Sequence, residues 1–256
     1  MPANAQTVWR ATAVKDDIMS DLLDLAIEAH GGLERWREIE RVRASFSTTG
    51  LLWAIKGHPS GLPAITMDMS AKRPEVRTTN FKAANQVATF EAERVTIENE
   101  SGAVLGDLRQ PRASFAGHEL MTQINDLQLA YFASYAFWNY FTTPFLFTRD
   151  GFELREMDKY EENGEIWRRL FVTFPSDVPT HCPSQVFYFS KDGLLQRLDY
   201  MTDILGGMAA HYCFDHKDFD GIKVPTLRRV VRRTPEKSML TDPTAVLVQI
   251  SDVQFS

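Results

Sequence analysis

The residues best equipped for chemistry stand late in the chain. His211 belongs to the one side-chain type whose ordinary pKa, ~6.5, lets a small shift make it an acid or a base at neutral pH. Arg197, Asp199 and Tyr200 precede it closely and Arg228 follows. An Asp199 carboxylate beside His211 would orient the imidazole and raise its basicity. Tyr200 or Tyr131 would donate a proton, and Arg197 or Arg228 would stabilise an oxyanion, enolate or phenolate. Such a set is what a lyase, isomerase or cyclase needs without a cofactor. The same residues also fit a plainer arrangement, a structural strand histidine next to a solvated Arg–Asp ladder.

A second group could hold a ligand. Asp126 to Phe141, DLQLAYFASYAFWNYF, reads as a helix that is apolar nearly all round, ended by Pro144. Leu127, Tyr131, Ser134 or Tyr135 and Trp138 form one stripe, and Phe132, Ala136 and Tyr140 another. Tyr135, Trp138, Tyr140 and Phe141 are candidates to stack on an aromatic or isoprenoid molecule, with Trp53, Tyr188 and the loop residue His181. Phe132 and Phe137 have no polar handle and read as core packing.

These side chains must be placed by sheet and helix. Asn163-Gly164, Asp192-Gly193 and Asp220-Gly221 each separate two strand-like runs, which predicts three successive hairpins with tight turns. Counting outward from them sets Tyr160 opposite Trp167, Asp158 opposite Arg169, Arg197 opposite Tyr188 and Asp199 opposite Val186. The last hairpin pairs Cys213 with Arg228 and His211 with Val230 on one face, and Tyr212 with Arg229 and Phe214 with Leu227 on the other. Both faces mix apolar and polar groups, so the face that would line a cavity stays open. Val42 to about Asn99 alternates as an antiparallel meander, and Ala245 to Phe255 reads as a final strand. A helix begins at Lys15 and breaks at Gly31-Gly32, and a short one fits Leu33 to Arg41. Residues 1–14 are expected to be a flexible tail and 15–256 a single domain.

Composition limits the partners. With 28 Lys plus Arg against 34 Asp plus Glu, the net charge of -6 speaks against nucleic acid. No apolar run reaches the ~20 residues that span a bilayer, and the start lacks a secretory signal's apolar stretch, so a cytoplasmic location is expected. Cys182 and Cys213 stand outside any zinc-ligand spacing, and no carboxylate and histidine spacing points to a metal. No GxGxxG, GxxxxGK[ST], GxSxG or HExxH motif is present, and no cofactor is expected.

Ala26 to Gly50, AIEAHGGLERWREIERVRASFSTTG, together with GLLQRLDY from Gly193 and FDGIKVPTLRRVVRR from Phe219, resembles the lipoprotein-carrier (LolA-like) half-barrel family. The resemblance implies an α+β fold in which a long curved antiparallel sheet wraps the aromatic helix and leaves a hydrophobic cavity. Two functions are then expected of that cavity. The first is a cofactor-independent acid–base enzyme acting on a hydrophobic, aromatic small molecule. The alternative is a non-catalytic carrier or sensor of a lipid-like ligand. Convergent ionisable groups inside the cavity would mark the enzyme and apolar walls the carrier.

Overall fold

A computed structural model describes residues 19–91, 93–234, 239–240 and 242–256. The expected tail, residues 1–14, lies outside them. Helices α1 (Met19–Ala29) and α2 (Leu33–Glu38) lead into β1 (Arg41–Thr49), a short helix α3 (Leu51–Ile55), and the strands β2 (Leu62–Ser70), β3 (Glu75–Thr79), β4 (Val87–Glu91), β5 (Arg94–Glu98) and β6 (Val104–Arg109). Helix α4 (Asp126–Thr142) crosses next, and the chain returns through β7 (Glu153–Glu162), β8 (Glu165–Thr173), β9 (Ser184–Phe189), β10 (Leu195–Met201), β11 (Met208–Phe219), β12 (Ile222–Arg233), β13 (Met239–Leu240) and β14 (Val246–Phe255).

All the described strand pairs are antiparallel and build one sheet, in the order β6-β5-β4-β3-β2-β1-β14-β12-β11-β10-β9-β8-β7, with β13 paired to β12. The last strand joins the two meanders by lying between β1 and β12. This is the expected α+β half-barrel, and α4 fills its concave side. Along β1, Val42, Ala44, Phe46 and Thr48 are buried in alternation with more exposed neighbours, as a sheet with one covered face requires. Phe46 meets Phe137 of α4 with ring centroids 4.0 Å apart. Helix α4 starts on a capping box, in which the Asn125 side chain accepts from the Gln128 backbone N–H and the Gln128 side chain accepts from the Asn125 N–H. It is buried on almost every side, as its all-round apolar sequence demands.

The three hairpins form where the Gly dipeptides stand. Asn163-Gly164 and Asp220-Gly221 have positive φ at both residues, as type I′ turns require. At Asp192-Gly193 only Gly193 has positive φ, and a bulge before Arg197 restores the pairing of Arg197 with Tyr188. Every pair expected of β11 and β12 is present. One expected pair is displaced: a register shift between Met157 and Tyr160 sets Met157, not Asp158, opposite Arg169, although the Arg169 side chain still donates to the Asp158 carbonyl at 2.5 Å.

Two glycines allow contacts that a side chain would block. A Cβ on Gly31, at φ 124°, would lie 2.1 Å from the Gly221 carbonyl oxygen, so the α1–α2 corner seats on the β11–β12 turn only as glycine. Gly50, at φ 128°, abuts the Ala245 carbonyl in the same way and turns the chain from β1 into α3. The strand reading of Val42 to Asn99 missed α3 because LLWAI is five residues of apolar chain without a visible helical period. Among the described residues no helix is long and apolar enough to cross a membrane.

Candidate functional site: an apolar cavity under the sheet

A cavity of about 230 Å³ opens between α4, α3 and the inner faces of β11, β12 and β14. Its walls are Phe132, Ala136, Phe137 and Tyr140 of α4, Leu51, Leu52, Trp53 and Ile55 of α3, and Met208, Ala209, Val230, Val246 and Val248 from the strands. Leu120, Gly206 and Gly207 come from two loops. Polar lining is sparse: Tyr140, Tyr200, Thr202 and His211, with the exposed Arg232 and Asp242. The two loops are fixed to α3 by Lys56, whose fully buried ammonium donates to the carbonyls of Glu119 (2.9 Å), Thr122 (3.1 Å) and Leu205 (2.9 Å). Burial pulls Lys56 down to about 8.

A chain of hydroxyls and imidazoles runs from the core to the cavity wall. His181 stands between Tyr135, whose hydroxyl is 3.1 Å from Nδ1, and Tyr140, whose hydroxyl is 2.7 Å from Nε2. Its ring stacks on Tyr200 at 4.2 Å. The Tyr140 and Tyr200 hydroxyls are 3.4 Å apart, and Tyr200 faces His211 Nδ1 at 3.5 Å. Burial, with the Arg112 charge, pulls His181 down to about 3, and burial followed by the Arg228 charge holds His211 far below its ordinary value. Burial raises Tyr140 to about 12. Both imidazoles are therefore neutral at pH 7 and poor proton acceptors.

The expected catalytic set is divided between the two faces of the sheet. β10 does pair with β11, but Leu198 stands opposite His211 and Asp199 opposite Ala210. Because side chains alternate along a strand, Asp199 points away from His211 and cannot orient it. Asp199 and Arg197 instead belong to a buried network on the outer face. Arg197 donates to both Asp199 oxygens (2.6 and 2.7 Å) and to Glu162 (2.7 Å), and Tyr188 donates to Asp199 (2.8 Å). Arg233 lies 2.8 Å from the same carboxylate. The Arg197 guanidinium rests on the rings of Tyr160, Tyr188 and Tyr212. Tyr188 is thus remote from the cavity.

The other residues scatter. Tyr131 lines a separate and more polar pocket, with Glu93, Arg112 and Pro111. Trp138 donates to the Ser70 carbonyl at 2.8 Å and Phe141 packs in the core, so neither lines the cavity. Tyr135 and His181 stand one layer behind Tyr140 and Tyr200. Arg228 is buried behind Tyr140: its guanidinium lies 5.0 Å from that ring and donates to the Tyr140 carbonyl (3.2 Å) and to Cys213 Sγ (3.4 Å). The structure thus brings Trp53, Tyr140, Tyr200 and His211 to the cavity. Phe132 and Phe137, expected as core packing, also line the cavity, and nothing in the sequence singles out Ala136, Val230 and Val248 as lining, because their plain apolar character gives no signal apart from the alternation on β12 and β14. Among the described residues no group of three His, Cys, Asp or Glu side chains is placed to hold a metal ion.

No protein-family model matches the chain, and no curated protein matches it. Solved structures do. A LolA superfamily protein from Nitrosomonas europaea superposes with a TM-score of 0.51 at 10% identity, covering 95% of this chain and 94% of the other. A domain assigned to outer membrane lipoprotein sorting, from Vibrio parahaemolyticus, gives 0.50 at 10% identity, covering 91% and 92%. At such identities the likeness shows the fold, and the fold is the LolA-like half-barrel. The expected acid–base enzyme is corrected on two grounds: its Asp199–His211 dyad is split across the sheet, and the cavity that His211 reaches has mainly apolar walls.

Proposed function

We propose that this chain is a non-catalytic carrier or sensor that encloses a lipid-like apolar molecule between α4 and the inner faces of β11, β12 and β14. The observation that carries the reading is the wall itself, built from leucine, valine, alanine and aromatic side chains with few polar groups. A site for proton chemistry would need convergent ionisable groups instead. The fold shared with a lipoprotein-sorting domain supports the same reading. Thr202 and the phenols at one end leave a mostly hydrophobic chamber whose occupant gains affinity by leaving water.

Displacement of the neutral fluorophore N-phenyl-1-naphthylamine by a series of 2-alkanones tests this. Each added methylene that finds room is worth ~0.8 kcal/mol, so affinity should climb about fourfold per carbon until the cavity is full, then level off. Ala136→Leu, which grows a side chain into the cavity from α4, should shorten the longest ketone accepted while the protein stays folded. Absence of fluorophore binding, or affinities indifferent both to chain length and to Ala136→Leu, would sink the proposal.

A further inference from the structure

His211 lines the cavity yet its Nε2 is buried without a hydrogen-bond partner among the described residues. A buried polar atom left in this state is rare and expensive, and it calls for an explanation. We infer that Nε2 carries a proton and that the ligand supplies the missing acceptor, a carbonyl or carboxylate oxygen at the end of an apolar body. This rests on the carrier reading and names the chemical class that the cavity takes.

The direction of the hydrogen bonds decides between donor and acceptor. Tyr135 has His181 Nδ1 as the one hydrogen-bond partner of its hydroxyl among the described residues, so it donates there. Neutral His181 then bears its proton on Nε2 and donates to the Tyr140 oxygen. The Tyr140 proton turns to Tyr200 and the Tyr200 proton to His211 Nδ1, both over long links. With Nδ1 accepting, neutral His211 keeps its proton on Nε2. The reverse order would leave the Tyr135 hydroxyl proton buried with no acceptor.

Arg228 adds an independent argument. Its guanidinium is 1% exposed, and no carboxylate bonds it among the described residues; its partners are a carbonyl, a thiol and a ring. An uncompensated cation close behind His211 makes that end of the cavity electropositive. An electronegative oxygen is drawn there and an ammonium is repelled.

The test is fluorophore displacement on the full chain with ten-carbon ligands: decane, 2-decanone, decanoate and decylammonium. At least one of 2-decanone and decanoate is expected to bind about tenfold tighter than decane, the worth of one good buried hydrogen bond, with decylammonium weaker than decane. Decanoate ahead of the ketone would mean that the oxygen is ionised and paired with the Arg228 charge; the ketone ahead would mean a neutral carbonyl. His211→Phe should erase the advantage of ketone and decanoate over decane, each compared within the variant. A second readout needs no variant: in spectra of protein with ¹⁵N-labelled histidine, His211 should show the Nε2-protonated tautomer, shifting with 2-decanone but not with decane. Equal affinities for decane, ketone and decanoate, an advantage that survives His211→Phe, or the Nδ1-protonated tautomer would overturn the inference and leave the carrier standing. Failure of the whole series to displace the fluorophore would overturn the carrier reading instead.

Discussion

The two faces of β10 and β11 solve opposite problems with similar residues. On the outer face Asp199, fully buried, collects donors from Arg197 and Tyr188 and the charge of Arg233, while Glu162 takes the rest of Arg197 and the Tyr212 hydroxyl. On the inner face, opposite Leu198, His211 is equally buried and has one nitrogen without a partner among the described residues. A network whose carboxylates are met by donors of the fold itself is structural, and its value is lost when a member is removed. A buried polar group that the fold leaves unsatisfied is where a ligand has something to add. The strongly polar cluster that most resembles an active site is thus the one whose carboxylates are matched by donors from the fold itself, and the plainer site is where a ligand could add a hydrogen bond.

That contrast breaks most visibly at Asp199. Asp199→Leu removes the buried carboxylate shared by Arg197, Arg233 and Tyr188, and a loss of ~3–5 kcal/mol is expected in urea unfolding. The fraction that remains folded should bind N-phenyl-1-naphthylamine as before, since the cavity lies across the sheet. A small loss of stability, or a loss of binding by molecules that are still folded, would mean that the two faces are not independent.

Acid is expected to act through the buried histidines. His30 and His216 are drawn down to about 4, and His181 to about 3, each chiefly by burial. Their folded values lie below the unfolded ~6.5, so the unfolded chain binds more protons between those limits and stability falls as the pH drops through that window. At pH 5 the loss is ~2 kcal/mol for each such histidine. Urea midpoints should therefore decline steadily from pH 7 to pH 5, and a flat profile would show that these imidazoles are not held neutral.

Much of this was legible from local chemistry. Asn163-Gly164 and Asp220-Gly221 dictate positive φ, and from them the register of β11 on β12 follows pair by pair. Alternation then places His211 with Cys213, Arg228 and Val230. What could not be read was which face is concave, because that depends on β14 entering between β1 and β12, a pairing far apart in sequence. Hence Asp199 was assigned to the side of His211, although parity along β10 and β11 separates them once Leu198 is set opposite His211. The roles of Trp138 and Tyr131 were hidden for another reason. A helix apolar on all sides states that it is buried, but not which of its stripes meets core and which meets a cavity.

The finest test of the contrast exchanges a polar ring for phenylalanine on each face. Tyr188→Phe removes a donor from the Asp199 carboxylate at 2.8 Å, a charged hydrogen bond whose loss should reduce stability by ~1.5–3 kcal/mol. His211→Phe removes a long contact to Tyr200 at 3.5 Å and, with it, an unsatisfied buried nitrogen. Taking away a buried polar atom with no partner relieves its desolvation penalty, which offsets the lost contact, so urea unfolding of His211→Phe should stay within ~1 kcal/mol of the parent. If both variants lose the same amount, His211 is tied into the fold as firmly as Tyr188 and the inner face has no open hydrogen-bonding position. If only Tyr188→Phe is destabilised, the fold does not need the imidazole of His211, and its reason for standing in an apolar wall is sought in what the cavity holds.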